Sequence, residues 1–287
     1  MKLKDVLDRT IQFFKDKKID QPRLEAEWLI AGGLGLNRVD LYMRYEQPLK
    51  EDEVHKLRDF VRRRALGEPL AYITGARGFY KLDFKVTPAV LIPRPETEIL
   101  VERALDWIQE QLKQQELVRV LDLGCGSGCI GLTIAYECPK ARVDLVDVSP
   151  EALKVAQENA KNWAVDGRCT FHLGDAVEIA EQLQPGYHLI LANPPYIEPN
   201  DPEIQESVKK FEPPLALFAD GGTSLLKKWS QKYSQKISPP GLMMMEMGFK
   251  QGAEMREFYQ GISKFSDVQI LQDYSGLDRF IQGKTYG

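Results

Sequence analysis

The sequence predicts an α/β fold: a mostly parallel sheet with helices on both faces and an antiparallel last strand, preceded by a small bundle of helices. Three observations carry this. From Thr97 onward, short and nearly all-apolar runs alternate with helical stretches, the pattern of strands buried on both faces. From Lys4 to about Leu66 the apolar residues fall at helical spacing, as Val6, Ile11 and Phe14 do, and then Leu24, Trp28 and Leu29. The charge balance also changes sign: Met1–Tyr80 holds 16 Lys+Arg against 13 Asp+Glu, net +3, and the remainder holds 22 against 29, net −7.

The bundle is expected over residues 1–75, with Asp20-Gln21-Pro22 and Gln47-Pro48 as helix-start or turn signals. Residues 76–95 read as a connector containing a hairpin. Phe79-Tyr80 and Phe84-Lys85-Val86 are β-type runs, broken by Gly75, Gly78, Pro88, Pro93 and Pro95. The third segment, 96–287, opens with a helix to about Gln114, a strand Val118–Leu123 and a helix after Gly128. A strand Arg142–Asp147 and a helix after Pro150 follow. Further strands are expected near Thr170–Leu173, His188–Ala192 and Leu242–Met247, then Val268–Gln272 and Phe280–Gln282. The stretch Asp273–Asp278 is too short for a crossover helix, so one of the last two strands runs antiparallel.

With 287 residues and 43% hydrophobic content, the chain buries a full core, which excludes intrinsic disorder. No apolar run approaches the roughly 18 residues of a membrane span. The start Met1-Lys2-Leu3-Lys4-Asp5 lacks the apolar stretch of a signal peptide, so the cytoplasm is the expected address. Cys125, Cys129, Cys138 and Cys169 read as free thiols. His55, His172 and His188 lack metal-site spacing, and no metal is expected.

The run Val120-Leu121-Asp122-Leu123-Gly124-Cys125-Gly126-Ser127-Gly128 ends a buried strand with three glycines at alternate positions and leads into a helix. Its backbone can pass very close to a ligand. Dinucleotide enzymes space the third glycine three positions after the second, so that pyrophosphate meets the helix N-terminus. Here the gap is two. With Asp122 just before the loop, that suits a ligand without phosphates whose amino-acid end lies over the loop. At the end of the next strand, Asp147 can accept both hydroxyls of a ribose. At the end of the third, Asp175 is placed to accept from an adenine amine, with the amide of Ala176 meeting the ring; Asp175 serves equally as a helix-capping carboxylate. Adenosine plus an amino acid is S-adenosylmethionine.

The fourth such strand ends in Asn193-Pro194-Pro195-Tyr196. Two prolines fix the turn and remove two backbone donors, so it presents acceptors, the Pro194 carbonyl and the Asn193 side-chain oxygen. Two acceptors match one NH₂ group. A planar amide nitrogen is a poor nucleophile, and hydrogen bonds accepted from its hydrogens favour pyramidal geometry and stabilise the charge that develops on methyl attack. Tyr196 can pack over the planar group and hold the nitrogen in line. The proton can leave after transfer, so no catalytic histidine is required.

The glycine loop, Asp147 and the tetrad resemble an S-adenosylmethionine-dependent amino-methyltransferase. Gly67–Gly75, Leu91–Glu98, Phe211–Leu217 with Gly221-Gly222, Glu246-Met247-Gly248 with Gln251, and Asp273–Arg279 resemble the release factor glutamine methyltransferase (HemK/PrmC) family over essentially the full length. That resemblance implies a Rossmann-like class I methyltransferase domain and N5-methylation of the glutamine in the Gly-Gly-Gln loop of class 1 peptide chain release factors. It implies that Gly124, Cys125, Gly126, Ser127, Gly128, Asp147, Asp175, Ala176 and Asn193 hold the methyl donor. Asn193, Pro194, Pro195 and Tyr196 would receive the glutamine, with Asn193, Pro194 and Tyr196 catalytic. Arg94, Glu96 and Glu98 match a family signature near the site mouth; Arg94 reads equally as a structural ion pair. Cys125 stands where the loop often has Thr or another small residue, and Ala176 where some members carry an aromatic ring.

The N-terminal bundle has the size and position for recognising the substrate protein, although its amphipathic helices need no partner to be explained. Arg62-Arg63-Arg64 reads as a solvated helix face. A monomer without direct nucleic-acid binding is expected. The rival reading is a nucleic-acid amino-methyltransferase acting on adenine N6 or cytosine N4, whose base amine presents the same planar NH₂; it calls for a strongly basic groove, against the net −7 counted above. A non-catalytic binding module conflicts with the intact loop and tetrad.

Overall fold

The computed structural model describes residues 1–286, which fall into two compact units. One comprises Met1–Ala76 with Gln205–Phe211; the other comprises Arg77–Ile204 and the chain from Glu212 onward.

The first unit is helical: α1 (Leu3–Asp16), α2 (Pro22–Leu34), α3 (Arg38–Met43), α4 (Glu51–Ala65) and α5 (Leu70–Thr74). Its core is apolar side chains from these helices, among them Leu7, Phe14, Leu29, Ile30 and Leu57. Two glycines let the helices approach closely. A Cβ on Gly32 would lie 2.6 Å from Thr74, and one on Gly33 would lie 2.5 Å from Leu57.

The second unit begins one residue into the hairpin of β1 (Ala76–Phe79) and β2 (Leu82–Lys85), then has α6 (Glu98–Gln111), β3 (Val118–Leu123), α7 (Cys129–Glu137), β4 (Ala141–Asp147) and α8 (Pro150–Asn162). It continues with β5 (Cys169–Leu173) and β6 (Tyr187–Ala192). A short helix, α9 (Glu206–Phe211), belongs to the first unit; then come α10 (Pro214–Leu217), α11 (Ser224–Ser234), β7 (Ile237–Glu246), α12 (Gly252–Gln260), β8 (Asp267–Gln272) and β9 (Asp278–Thr285). Seven strands form one sheet in the order β5-β4-β3-β6-β7-β9-β8. The strands from β3 to β7 pair in parallel, and β9 runs antiparallel to both its neighbours. Two apolar layers cover the two faces, one including Leu100, Ile134 and Leu145, the other Leu121, Trp229 and Met243.

β4, β5, β6 and β8 each begin one residue earlier than the apolar pattern predicts, and β7 and β9 are longer by several residues. β7 starts at Ile237, before the Pro239-Pro240 pair, because a register shift takes up the residues that lack N–H donors: Tyr187 aligns with Ile237 and Leu189 with Leu242. β9 continues past Gln282, a polar residue that is buried because its amide donates to Gln269 Oε1 at 3.0 Å. Among the described residues, no helix is long and apolar enough to cross a membrane.

Candidate active site

A cavity of about 350 Å³ opens at the carboxyl ends of β3, β4, β5 and β6. The chain leaves β3 towards β4 on one side and meets β6 on the other, and the loops diverge at that switch point to leave a crevice.

The glycine loop forms one wall. Gly124, Gly126 and Gly128 have φ of +66°, +54° and +80°, the left-handed region that a side chain disfavours. Gly124, Cys125, Gly126 and Ser127 line the cavity. Gly128 does not. A Cβ there would lie 2.7 Å from Leu132, so its smallness serves the packing of α7. The loop is pinned by the Cys125 amide donating to the Val146 carbonyl at 2.9 Å and the Gly126 amide donating to Asp147 Oδ2 at 2.8 Å. Asp122 lies fully buried and outside the lining. Its Oδ2 accepts from the Gly131 amide at 2.9 Å, its Oδ1 has no partner, and burial pushes its pKa up to about 7.

Asp147, at the end of β4, is 9% exposed and lines the cavity. Its oxygens accept from the Gly126 and Ser149 amides at 2.8 and 2.9 Å, and each keeps a lone pair for a further donor. Burial raises its pKa against those hydrogen bonds. Asp175 is exposed at the rim, where Oδ1 caps the turn by accepting from the Val177 amide at 2.7 Å; Ala176 is buried beside it. Among the described residues that line the cavity, the one cationic side chain, Arg94, is paired with Glu212 at 2.6 Å, whereas Asp147, Glu151 and Asp175 are carboxylates. An anionic phosphate has no counter-charge here. A cationic ligand with hydroxyls and an apolar body does, and S-adenosylmethionine fits that donor set.

The fourth wall is the tetrad after β6. Asn193 and Pro195 line the cavity, and Pro194 is buried behind them. Asn193 Nδ2 donates to Thr97 Oγ1 at 3.2 Å, and Thr97 donates to Glu246 Oε2 at 2.6 Å. Tyr196 is outside the lining: its ring packs in the sheet's second apolar layer, and its hydroxyl donates to Glu246 Oε1 at 2.9 Å. Burial raises the Tyr196 phenol pKa, and the Glu246 carboxylate adds to this. Glu246 is 1% exposed; burial raises its pKa, opposed by the two donated hydroxyls and by the charge of Arg279.

Residues 5–75 match the family model described as the PrmC N-terminal domain, and residues 101–238 match that described as the methyltransferase small domain. A release factor glutamine methyltransferase of Chlorobaculum tepidum is 40% identical over 279 residues, covering 96% of this chain and 94% of that one. The chain belongs to the release factor glutamine methyltransferase family. A relative of the same name from Geobacter sulfurreducens is 38% identical over 287 residues, covering 98% and 96%. Among solved structures, the catalytic domain of hMettl16 in complex with a 3′UTR hairpin aligns with a TM-score of 0.52 at 14% identity over 83% of each chain, a likeness of fold alone.

Of the three charged residues in the family signature, only Arg94 reaches the cavity, and it is engaged by Glu212. Glu96 is exposed and Glu98 half-buried, both outside the lining. Thr97 and Glu246 lie in stretches that carry the family resemblance but have no role in the sequence reading, and Trp229 is absent from it. Thr97 sits between the two acids of that signature, and Glu246, like Asp147, is an acid that ends an apolar strand, a signal present in the residues. Trp229 lines the cavity from α11, its ring 3.1 Å from where a Cβ on Gly124 would sit.

Proposed function

We propose that this protein transfers a methyl group from S-adenosylmethionine to the side-chain amide nitrogen of the glutamine in the Gly-Gly-Gln loop of class 1 release factors, in the cytoplasm. One observation carries the reading: Asn193 and Pro195 open onto the same cavity as the glycine loop and Asp147. When bound, the donor supplies a methyl group activated on a sulfonium. Gly124–Ser127 and Asp147 would hold it, with Asp175 and Ala176 at its adenine end.

The chain's own residues do the rest. The Asn193 amide has committed its NH₂ to Thr97, so its oxygen is the atom left to accept from the substrate NH₂. The Pro194 carbonyl is the second acceptor of the stiff turn. Together they favour a pyramidal nitrogen and stabilise the charge it gains in the transition state. Tyr196, tied to Glu246, fixes the far end of the turn, and Leu215, Ala216 and Leu225 give the cavity apolar walls. The helical unit would recognise the release factor, a reading supported by its match to the family's own N-terminal module.

The test is a mass measurement on release factor incubated with enzyme and donor. A gain of one methylene on the Gly-Gly-Gln glutamine supports the reading. No gain there, or methyl transfer to nucleic acid instead, removes it.

A further inference from the structure

A carboxamide has two ends of nearly the same shape, and only one of them can serve this site. If the Asn193 NH₂ faced the cavity, it would oppose the NH₂ of the substrate, donor against donor. Something must choose the orientation. Among the described residues, the hydrogen-bond partner of the Asn193 side-chain amide is Thr97 Oγ1, at 3.2 Å, and a hydroxyl can either donate or accept. By itself it selects nothing.

Glu246 makes the choice. Its Oε2 lies 2.6 Å from Thr97 Oγ1 and takes the single hydroxyl hydrogen, which leaves only lone pairs facing Asn193. Thr97 must then accept, so the NH₂ of Asn193 turns to it and the oxygen turns away. Glu246 is held as an acceptor on its other side too, by the Tyr196 hydroxyl at 2.9 Å, with the positive charge of Arg279 nearby and Arg279 itself paired to Asp273 at 3.1 Å.

Thr97 stands at the N-cap of α6, where a threonine hydroxyl ordinarily takes a backbone N–H, yet it makes no such bond. It is 1% exposed, as is Glu246. Two buried polar side chains have been spent on each other and on Asn193 rather than on the helix end.

We infer that Thr97 and Glu246 are positioning residues that lock the Asn193 amide with its oxygen towards the substrate, an inference that rests on the function proposed above. They touch neither reacting atom in this role; they act through Asn193.

The experiment uses the full chain with release factor as substrate. It measures kcat, KM and, by calorimetry, affinity for S-adenosylhomocysteine in Thr97→Val, Thr97→Ser and Glu246→Gln. Thr97→Val keeps the shape and removes the hydroxyl. It is expected to lower kcat by about 100-fold, the loss typical of a misaligned reacting group, with KM and product affinity within about threefold. Thr97→Ser restores the hydroxyl and should recover most of the rate. Glu246→Gln leaves one acceptor for two hydroxyls, so its NH₂ faces either Thr97 or Tyr196 and the selection is weakened; its kcat should fall between those of Thr97→Val and the wild type. Retained affinity for S-adenosylhomocysteine reports that each variant is folded. Wild-type rates in Thr97→Val, no rescue by Thr97→Ser, or a loss explained by weakened donor-site binding would overturn the relay while leaving an active wild type and its function intact. A wild type that fails to methylate release factor overturns the function and the relay with it.

Discussion

The Asp147 carboxylate accepts the Gly126 amide at 2.8 Å, so the acid at the end of β4 and the glycine loop at the end of β3 brace each other. Neither can be altered alone. The positive φ of Gly126 aims its N–H at Asp147, and the bonded carboxylate keeps its free lone pairs for hydroxyls of a ligand.

Asp147→Asn therefore damages both functions of that group. An amide can accept from only one of the two backbone N–H groups and sets a donor against the other. Affinity for S-adenosylhomocysteine should fall by at least about tenfold, the effect of one lost hydrogen bond to a charged group. Titration calorimetry checks this, and unchanged affinity would mean that Asp147 does not face the ribose.

Asn193→Ala should separate binding from chemistry. Removing one acceptor of developing charge is expected to lower turnover by about 100- to 1,000-fold, with product affinity within about threefold. Single-turnover methylation of release factor measures it, and a variant with wild-type turnover would refute the acceptor role.

The buried Asp122 predicts a pH-dependent stability. Its pKa is raised by burial to about 7, helped by the charge of Asp147 and opposed by the Gly131 amide, from an ordinary 3.8. Between those values the folded protein binds the proton and the unfolded chain does not, so stability falls as pH rises through the window. Urea titrations of the ligand-free protein should show a loss of about 2 kcal/mol between about pH 5 and pH 7 that is absent in Asp122→Asn. Equal slopes in the two proteins would exclude Asp122 as the cause.

Arg94 and Glu212 predict a non-additive pair. Glu212 is 2% exposed in its side chain and also accepts from the Ile92 amide at 3.1 Å, so Arg94→Met strands a buried charge. The single variant should lose about 3 kcal/mol of stability, and adding Glu212→Gln should return part of it. Additive losses in the double-mutant cycle would show that the pair is not coupled.

Much of the fold was legible because its determinants are local. A buried parallel strand is an apolar run, and Val118–Leu123 is a strand over the residues its pattern predicts. The antiparallel closing strand followed from the shortness of Asp273–Asp278, since no crossover helix fits there. The glycine loop was legible because positive φ restricts residue type, and the tetrad because two prolines fix a turn. The roles of Gly128 and Tyr196 were less so: the first meets Leu132 rather than the cavity, and the second meets Glu246, contacts on which spacing is silent.

The sequence by itself determined the alternation of elements, the strand ends that carry Gly124, Asp147, Asp175 and Asn193, and the chemistry those residue types allow. Only the tertiary structure decided which of them share a cavity and what holds them. Asn193 meets Thr97 across 96 positions, Arg94 meets Glu212 across 118, and Thr97 meets Glu246 across 149. Such pairings are set by strand order and by the depth at which a polar group is buried. Both are consequences of packing the whole chain, and neither leaves a periodic trace in the residues that form them.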